Sequence, residues 1–90
     1  MILGKVIGTV VSTKKDERLV GFKLLVVQKY NIKLEPTDGF VVAVDTVGAG
    51  FNELCLVVSG SSSRQTSKTD KKPVDAAIVG IVDEVSFKGD

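Results

Sequence analysis

Glycine recurs inside the apolar runs of this chain, and that pairing limits the fold more than any other feature. The run Ile2–Thr13 carries Gly4 and Gly8, and the run Ala76–Phe87 carries Gly80. In extended backbone, Gly4 and Gly8 share one face with Ile2, Val6 and Val10. Leu3, Lys5, Ile7, Thr9 and Val11 share the other. Glycine weakens a strand, but it lets the strand bend sharply or lets a neighbour approach closely. A small closed barrel needs such bends. No segment holds an apolar 3.6-residue period long enough for a stable helix.

The remaining apolar runs are short and β-branched. Leu19–Tyr30, centred on Leu24-Leu25-Val26-Val27, is apolar without alternation, which predicts a strand covered on both faces. Asn31–Gly39, with Pro36 and Asp38-Gly39 as breakers, predicts a turn region. Phe40–Asp45 and Leu54–Ser59 predict the third and fourth strands, and Ala76–Phe87 the fifth. Thr13–Arg18 predicts a solvated charged connection, Ser67–Lys72 an exposed flexible loop, and Lys88–Asp90 a mobile tail. Ser61–Thr66 predicts one helical turn with Ser61 or Ser62 as N-cap. The sum is an all-β fold: a small, partly open five-stranded barrel of the oligonucleotide-binding type, with one short helical turn.

At 90 residues the chain predicts a single domain spanning 1–90. A domain of this size buries only roughly 60–65% of its unfolded surface, so self-association would stabilise it. Twelve basic residues stand against 11 acidic ones, which argues against a dedicated nucleic-acid partner. Histidine is absent, so the commonest general base and metal ligand are missing. The lone Cys55, between Leu54 and Leu56, reads as a buried structural thiol in a reduced cytoplasmic setting. The N-terminal run is too short for a signal peptide or a membrane span.

The densest polar chemistry lies in Val42–Arg64, where two polar loops flank one short strand. Gly48-Ala49-Gly50 allows positive φ or close backbone approach, and Phe51 beside it predicts an exposed aromatic. The third glycine of a dinucleotide fingerprint would fall at Glu53, and no helix follows, so that motif fails. Ser12 and Lys15 spell S-x-x-K at a strand end, without the helix start that acyl-enzyme chemistry needs. Asp45, Glu53, Asp75 and Asp83 flank apolar strands. Their plainest role is to accept backbone N–H bonds and to pair with Arg64, in or between subunits. The aromatics Phe22, Tyr30, Phe40, Phe51 and Phe87 are scattered, which weakens the alternative reading as a single-stranded nucleic-acid-binding module. No catalytic, cofactor or metal site emerges.

Taken in order, the blocks G-K-V-I-G-T-V-V-S-T-K-K, L-V-G-F-K-L-L-V-V-Q, V-A-V-D-T-V-G-A-G-F-N-E, S-G-S-S-S-R and P-V-D-A-A-I-V-G-I-V-D-E-V resemble the vertex proteins of bacterial microcompartment shells, the EutN/CcmL family. The resemblance covers nearly the whole chain. Asn52 stands where the family usually has glycine, and asparagine tolerates positive φ. Phe51 fills a position that is often small, and Ser63 one that is often alanine. The resemblance implies a homopentamer that caps the vertices of a polyhedral shell otherwise tiled by hexameric proteins. It also implies that Asp45, Gly48, Ala49, Gly50, Phe51, Glu53, Ser61, Ser62, Arg64, Asp75 and Asp83 fix subunit contacts or line an axial opening. It implies no enzyme activity, no cofactor, no nucleic acid and no membrane.

Overall fold

The computed structural model describes residues 1–12, 15–72 and 74–88. Five strands run β1 Ile2–Val10, β2 Leu24–Tyr30, β3 Pro36–Asp45, β4 Leu54–Ser59 and β5 Ala76–Ile81. They close fully into a barrel, not a partly open one, in the order β1-β2-β3-β5-β4. Every neighbour pair is antiparallel except β3 with β5, which closes the barrel through two parallel pairs, Val44 with Ala77 and Asp45 with Ile78. Short 3₁₀ turns at Glu17–Leu19 and Gly60–Arg64 are the only helical elements among the described residues.

The barrel interior is small and aliphatic. Val6, Leu25, Val27, Ala43, Ala49, Cys55, Val57 and Ile78 form one buried cluster, and Val44, Val74 and Ala77 a second. Gly4 shows why glycine sits inside β1. A Cβ there would lie 2.5 Å from Val27 Cγ1 and 2.6 Å from the Gln28 carbonyl oxygen, so β1 and β2 approach only because it is absent. Gly8 has no such contact. It follows a register shift between Val6 and Gly8, so the bend comes from a bulge as well as from glycine.

Strand ends differ from the sequence expectation wherever a pairing partner runs out. β1 stops at Val10, opposite Leu24, the first residue of β2. Thr13 and Lys14, to which the first strand and the charged connection were extended, lie outside the described residues. The second strand begins at Leu24 and not at Leu19, which instead ends a 3₁₀ turn, Glu17–Leu19, with the Asp16 carboxylate accepting the Arg18 N–H. β2 is also not covered equally on both faces: Leu25 and Val27 are buried, while Leu24 and Val26 are half-buried.

β3 begins at Pro36, inside the predicted turn region. Proline is tolerated as a first strand residue, and Gly39 takes φ 102° at an irregular stretch of the ladder. There Gln28 Nε2 donates to the Thr37 and Gly39 carbonyls, replacing bonds the ladder lacks. β5 stops at Ile81 rather than Phe87, because Ile81 already pairs with Cys55 near the start of β4. Val82 donates one last bond to Leu54, and residues 83–88 form no strand.

The polar stretch 67–72 is also not exposed throughout. Thr69 is fully buried, and its hydroxyl meets Thr66 Oγ1 at 2.6 Å. Of the predicted mobile tail, Gly89 and Asp90 lie outside the described residues, as does Pro73 before the fifth strand.

Candidate functional site

Both polar loops flank β4. The first, between β3 and β4, is built by its own carboxylates. Asp45 Oδ1 accepts from the backbone N–H groups of Val47, Gly48 and Ala49 at 3.0–3.1 Å. Glu53 Oε1 accepts from the Gly50 N–H. A carboxylate so placed supplies charge-assisted acceptors for a turn that has no ladder of its own. Gly48 and Asn52 take positive φ, 79° and 72°, which asparagine tolerates better than most residues.

The loop is then stitched to β1. The Asn52 N–H donates to the Val6 carbonyl at 2.8 Å, and the Val6 N–H to the Glu53 carbonyl at 3.1 Å, at the bulge where β1 shifts register. Ala49 is thereby pushed into the barrel core, while Phe51 remains 73% exposed.

The second loop follows β4 and is held by donors instead. Its 3₁₀ turn is Gly60–Arg64, shorter than the predicted Ser61–Thr66, and its N-cap is Ser59, which makes no side-chain capping bond. Gly60 takes φ 62°, and its N–H donates to the Asp75 carbonyl. Ser63 is fully buried, with its hydroxyl 2.6 Å from the Gly60 carbonyl and 3.0 Å from that of Val74. Arg64 Nη1 donates to the same Val74 carbonyl at 2.8 Å. Within the chain Arg64 therefore binds a main-chain oxygen, not a carboxylate; the one ion pair among the described residues is Asp16–Arg18. Ser61, Ser62, Asp75 and Asp83 are exposed.

The structure thus divides the residues singled out from the sequence. Asp45, Gly50, Glu53 and Arg64 shape the loops, and Ala49 fills the core. Gly48, Phe51, Ser61, Ser62, Asp75 and Asp83 face outward. Sequence reasoning missed Ser63 and Thr69 as buried polar anchors, and it missed Thr46, whose hydroxyl donates to the Ile78 carbonyl at 2.6 Å across the β3–β5 seam. A hydroxyl between small polar neighbours carries no sequence mark of burial.

The electrostatics give little to build catalysis on. Burial pushes the Cys55 thiol up to about 11, with the carboxylates of Asp45 and Glu53 adding to the effect, so it is a protonated thiol and not a nucleophile. The Arg18 guanidinium holds Asp16 down to about 2 through their side-chain hydrogen bonds. Among the described residues no group of three or more Asp, Glu or Cys gathers as metal ligands. Among the described residues no helix is long and apolar enough to cross a membrane. Lys5 Nζ lies 5.3 Å from the Tyr30 ring centroid. Phe40, Phe51 and Phe87 are exposed on three different parts of the chain.

What the exterior does offer is apolar surface. Val10, Val11, Val20, Ile32, Val42 and Ile81 are each more than a third exposed, as are the three phenylalanines. A 90-residue barrel with this much unburied aliphatic and aromatic area fits a subunit of an assembly.

Comparison with known proteins points the same way. A family model described as ethanolamine utilisation protein EutN/carboxysome matches residues 1–83. The bacterial microcompartment shell vertex protein GrpN of Rhodospirillum rubrum is 58% identical over 85 residues, 94% of this chain and 96% of its own. The carboxysome shell vertex protein CcmL of a Synechocystis species is 49% identical over 86 residues, 96% of this chain and 86% of its own. The solved structure of the R. rubrum protein, described as a pentameric microcompartment shell protein, superposes with TM-score 0.90 at 55% identity. That match covers 98% of this chain and 100% of the other.

Proposed function

This chain belongs to the EutN/carboxysome family, and on that premise we propose that it forms homopentamers that cap the vertices of a polyhedral bacterial microcompartment shell. The observation that carries the reading is the match, in sequence and backbone together, to a pentameric shell protein over nearly the whole chain. The function is geometric. A flat net of hexagonal tiles has no curvature and cannot close; pentagons at its corners supply the curvature. Capping those corners is a task for shape and contact surface, and it needs no reacting group.

Cyclic assembly needs two different patches per subunit that meet head to tail. The exposed apolar residues and the two loops beside β4 supply candidates for them. In this reading Gly48, Phe51, Ser61, Ser62, Asp75 and Asp83 make subunit contacts or line the axial opening. Asp45, Gly50, Glu53 and Arg64 hold the loops in the shape those contacts need, and Ala49 anchors the first loop from inside. The whole chain acts as one vertex domain, without enzymatic activity, cofactor or nucleic-acid partner. It works in the cytoplasm at the edge of a shell tiled by hexameric proteins.

Native mass spectrometry of the purified protein tests the assembly. The expected dominant species has about five times the 9.6 kDa mass of one chain. A folded monomer overturns the proposal, and a six-chain species removes the vertex role. Co-expression with hexameric shell proteins tests closure: polyhedral particles are expected with this chain, and open sheets or tubes without it.

A further inference from the structure

An open pocket of about 410 Å³ lies beside the first loop, and its walls carry three cations, Arg18, Lys68 and Lys72. Arg18 comes from the turn before β2, Lys68 and Lys72 from the segment after the second 3₁₀ turn, and Phe22 and Val20 give an apolar wall. We propose that this pocket binds a small phosphorylated molecule, with a phosphate-class oxyanion between Arg18, Lys68 and Lys72 and an apolar or planar body against Phe22 and Val20. This goes beyond the vertex reading and does not rest on it.

The donors are available. Arg18 spends Nε and Nη2 on Asp16, which fixes the guanidinium and leaves Nη1 with no protein bond among the described residues. Lys68 spends one donor on the Thr46 carbonyl at 3.0 Å, and an ammonium has three. Lys72 is half-buried, and its ammonium makes no ion pair among the described residues. The one acid in the wall, Asp45, has its Oδ1 occupied by three main-chain N–H groups. Asp16, a second carboxylate, is bound to Arg18. Three cations against these two engaged carboxylates leave a net positive charge, which favours an anion. A fixed guanidinium beside two ammonium groups matches the several oxygens of a phosphate. The volume falls in the range of small-ligand sites. The pocket also touches the first loop through Asp45 and the Lys68–Thr46 bond, so an occupant would compete for the bond that steadies that loop.

Isothermal titration of the assembled protein with inorganic phosphate, pyrophosphate and AMP, at constant ionic strength, tests this. Saturable binding of pyrophosphate or AMP at one site per chain is expected. Lys68→Met with Lys72→Met should weaken it at least about tenfold, because two charge-assisted contacts are lost. Lys33→Met with Lys88→Met removes the same charge from exposed positions elsewhere and should change it by less than about twofold. Lys72→Met alone keeps the test open if the double variant does not fold. Absence of saturable binding, or equal losses in both double variants, overturns the proposal. So does loss of the native oligomer in the Lys68/Lys72 variant by native mass spectrometry, which would assign these lysines to assembly instead of to a ligand.

Discussion

The two loops beside β4 solve one problem with opposite chemistry. Between β3 and β4, carboxylates turn inward and accept from main-chain N–H groups. Between β4 and β5, a hydroxyl and a guanidinium turn inward and meet main-chain carbonyls. Each loop spends its most chemically capable residues on its own backbone. What it leaves outside is plain: Gly48 and Phe51 on one, Ser61 and Ser62 on the other. The lesson is that polar residues in a loop are not a site by virtue of polarity. Here they are scaffolding that holds the exposed residues beside them in place.

The difference also predicts unequal fragility. Asp45 is a charged acceptor shared by three N–H groups, whereas the Val74 carbonyl has two donors aimed at it. Asp45→Ala is expected to lose about 2–3 kcal/mol in urea unfolding at fixed protein concentration, the largest effect of this set. A loss no greater than that of a serine variant would erase the contrast.

Asn52→Ala should lose about 1 kcal/mol, because alanine resists the positive φ held there, and Asn52→Gly should stay close to the native protein. Ser63→Ala should cost less than about 1 kcal/mol despite full burial, since Arg64 still serves the Val74 carbonyl. Ser61→Ala should fall within about 0.5 kcal/mol of the native value for folding of the chain, so any larger loss would report on assembly.

Cys55 reads out the same asymmetry through pH. Its raised value means that the folded thiol keeps its proton while an unfolded one, near 9.0, has lost it. The folded state therefore binds more protons in that window, and stability should fall as pH rises from about 9 through about 11. Asp45→Asn should move the thiol back toward its ordinary value, followed by ultraviolet thiolate absorbance, because one of the two nearby carboxylates is gone. Ser63→Ala should leave it in place.

Much of the fold was legible before any coordinates. β4 falls at Leu54–Ser59 as its sequence predicts, because a short β-branched run between two breakers has few other options. Gly4 marked a bend or a close approach, with the bend favoured, and the structure shows the close approach; Phe51 marked an exposed aromatic. The boundaries that failed share a cause. Val82, Val85 and Phe87 look like strand residues, but β4 offers no further partner beyond Leu54. Pro36 and Gly39 look like breakers, but a first strand position and an irregular ladder accommodate them. A strand is a property of two segments, and local sequence describes only one of them.

The sequence by itself determined the strand-rich class, the glycine positions that permit bending, the lack of histidine chemistry and the family blocks. All of these are fixed by residue type and order. Only the tertiary structure decided which polar residues stay available. Asp45 reaches main-chain groups within four residues, a contact that local sequence could suggest. Arg64 and Ser63 reach Val74, and Thr46 reaches Ile78 across 32 residues. Those partners meet only because barrel closure sets β3 against β5 and folds the second loop over the start of β5, and no spacing along the chain encodes that meeting.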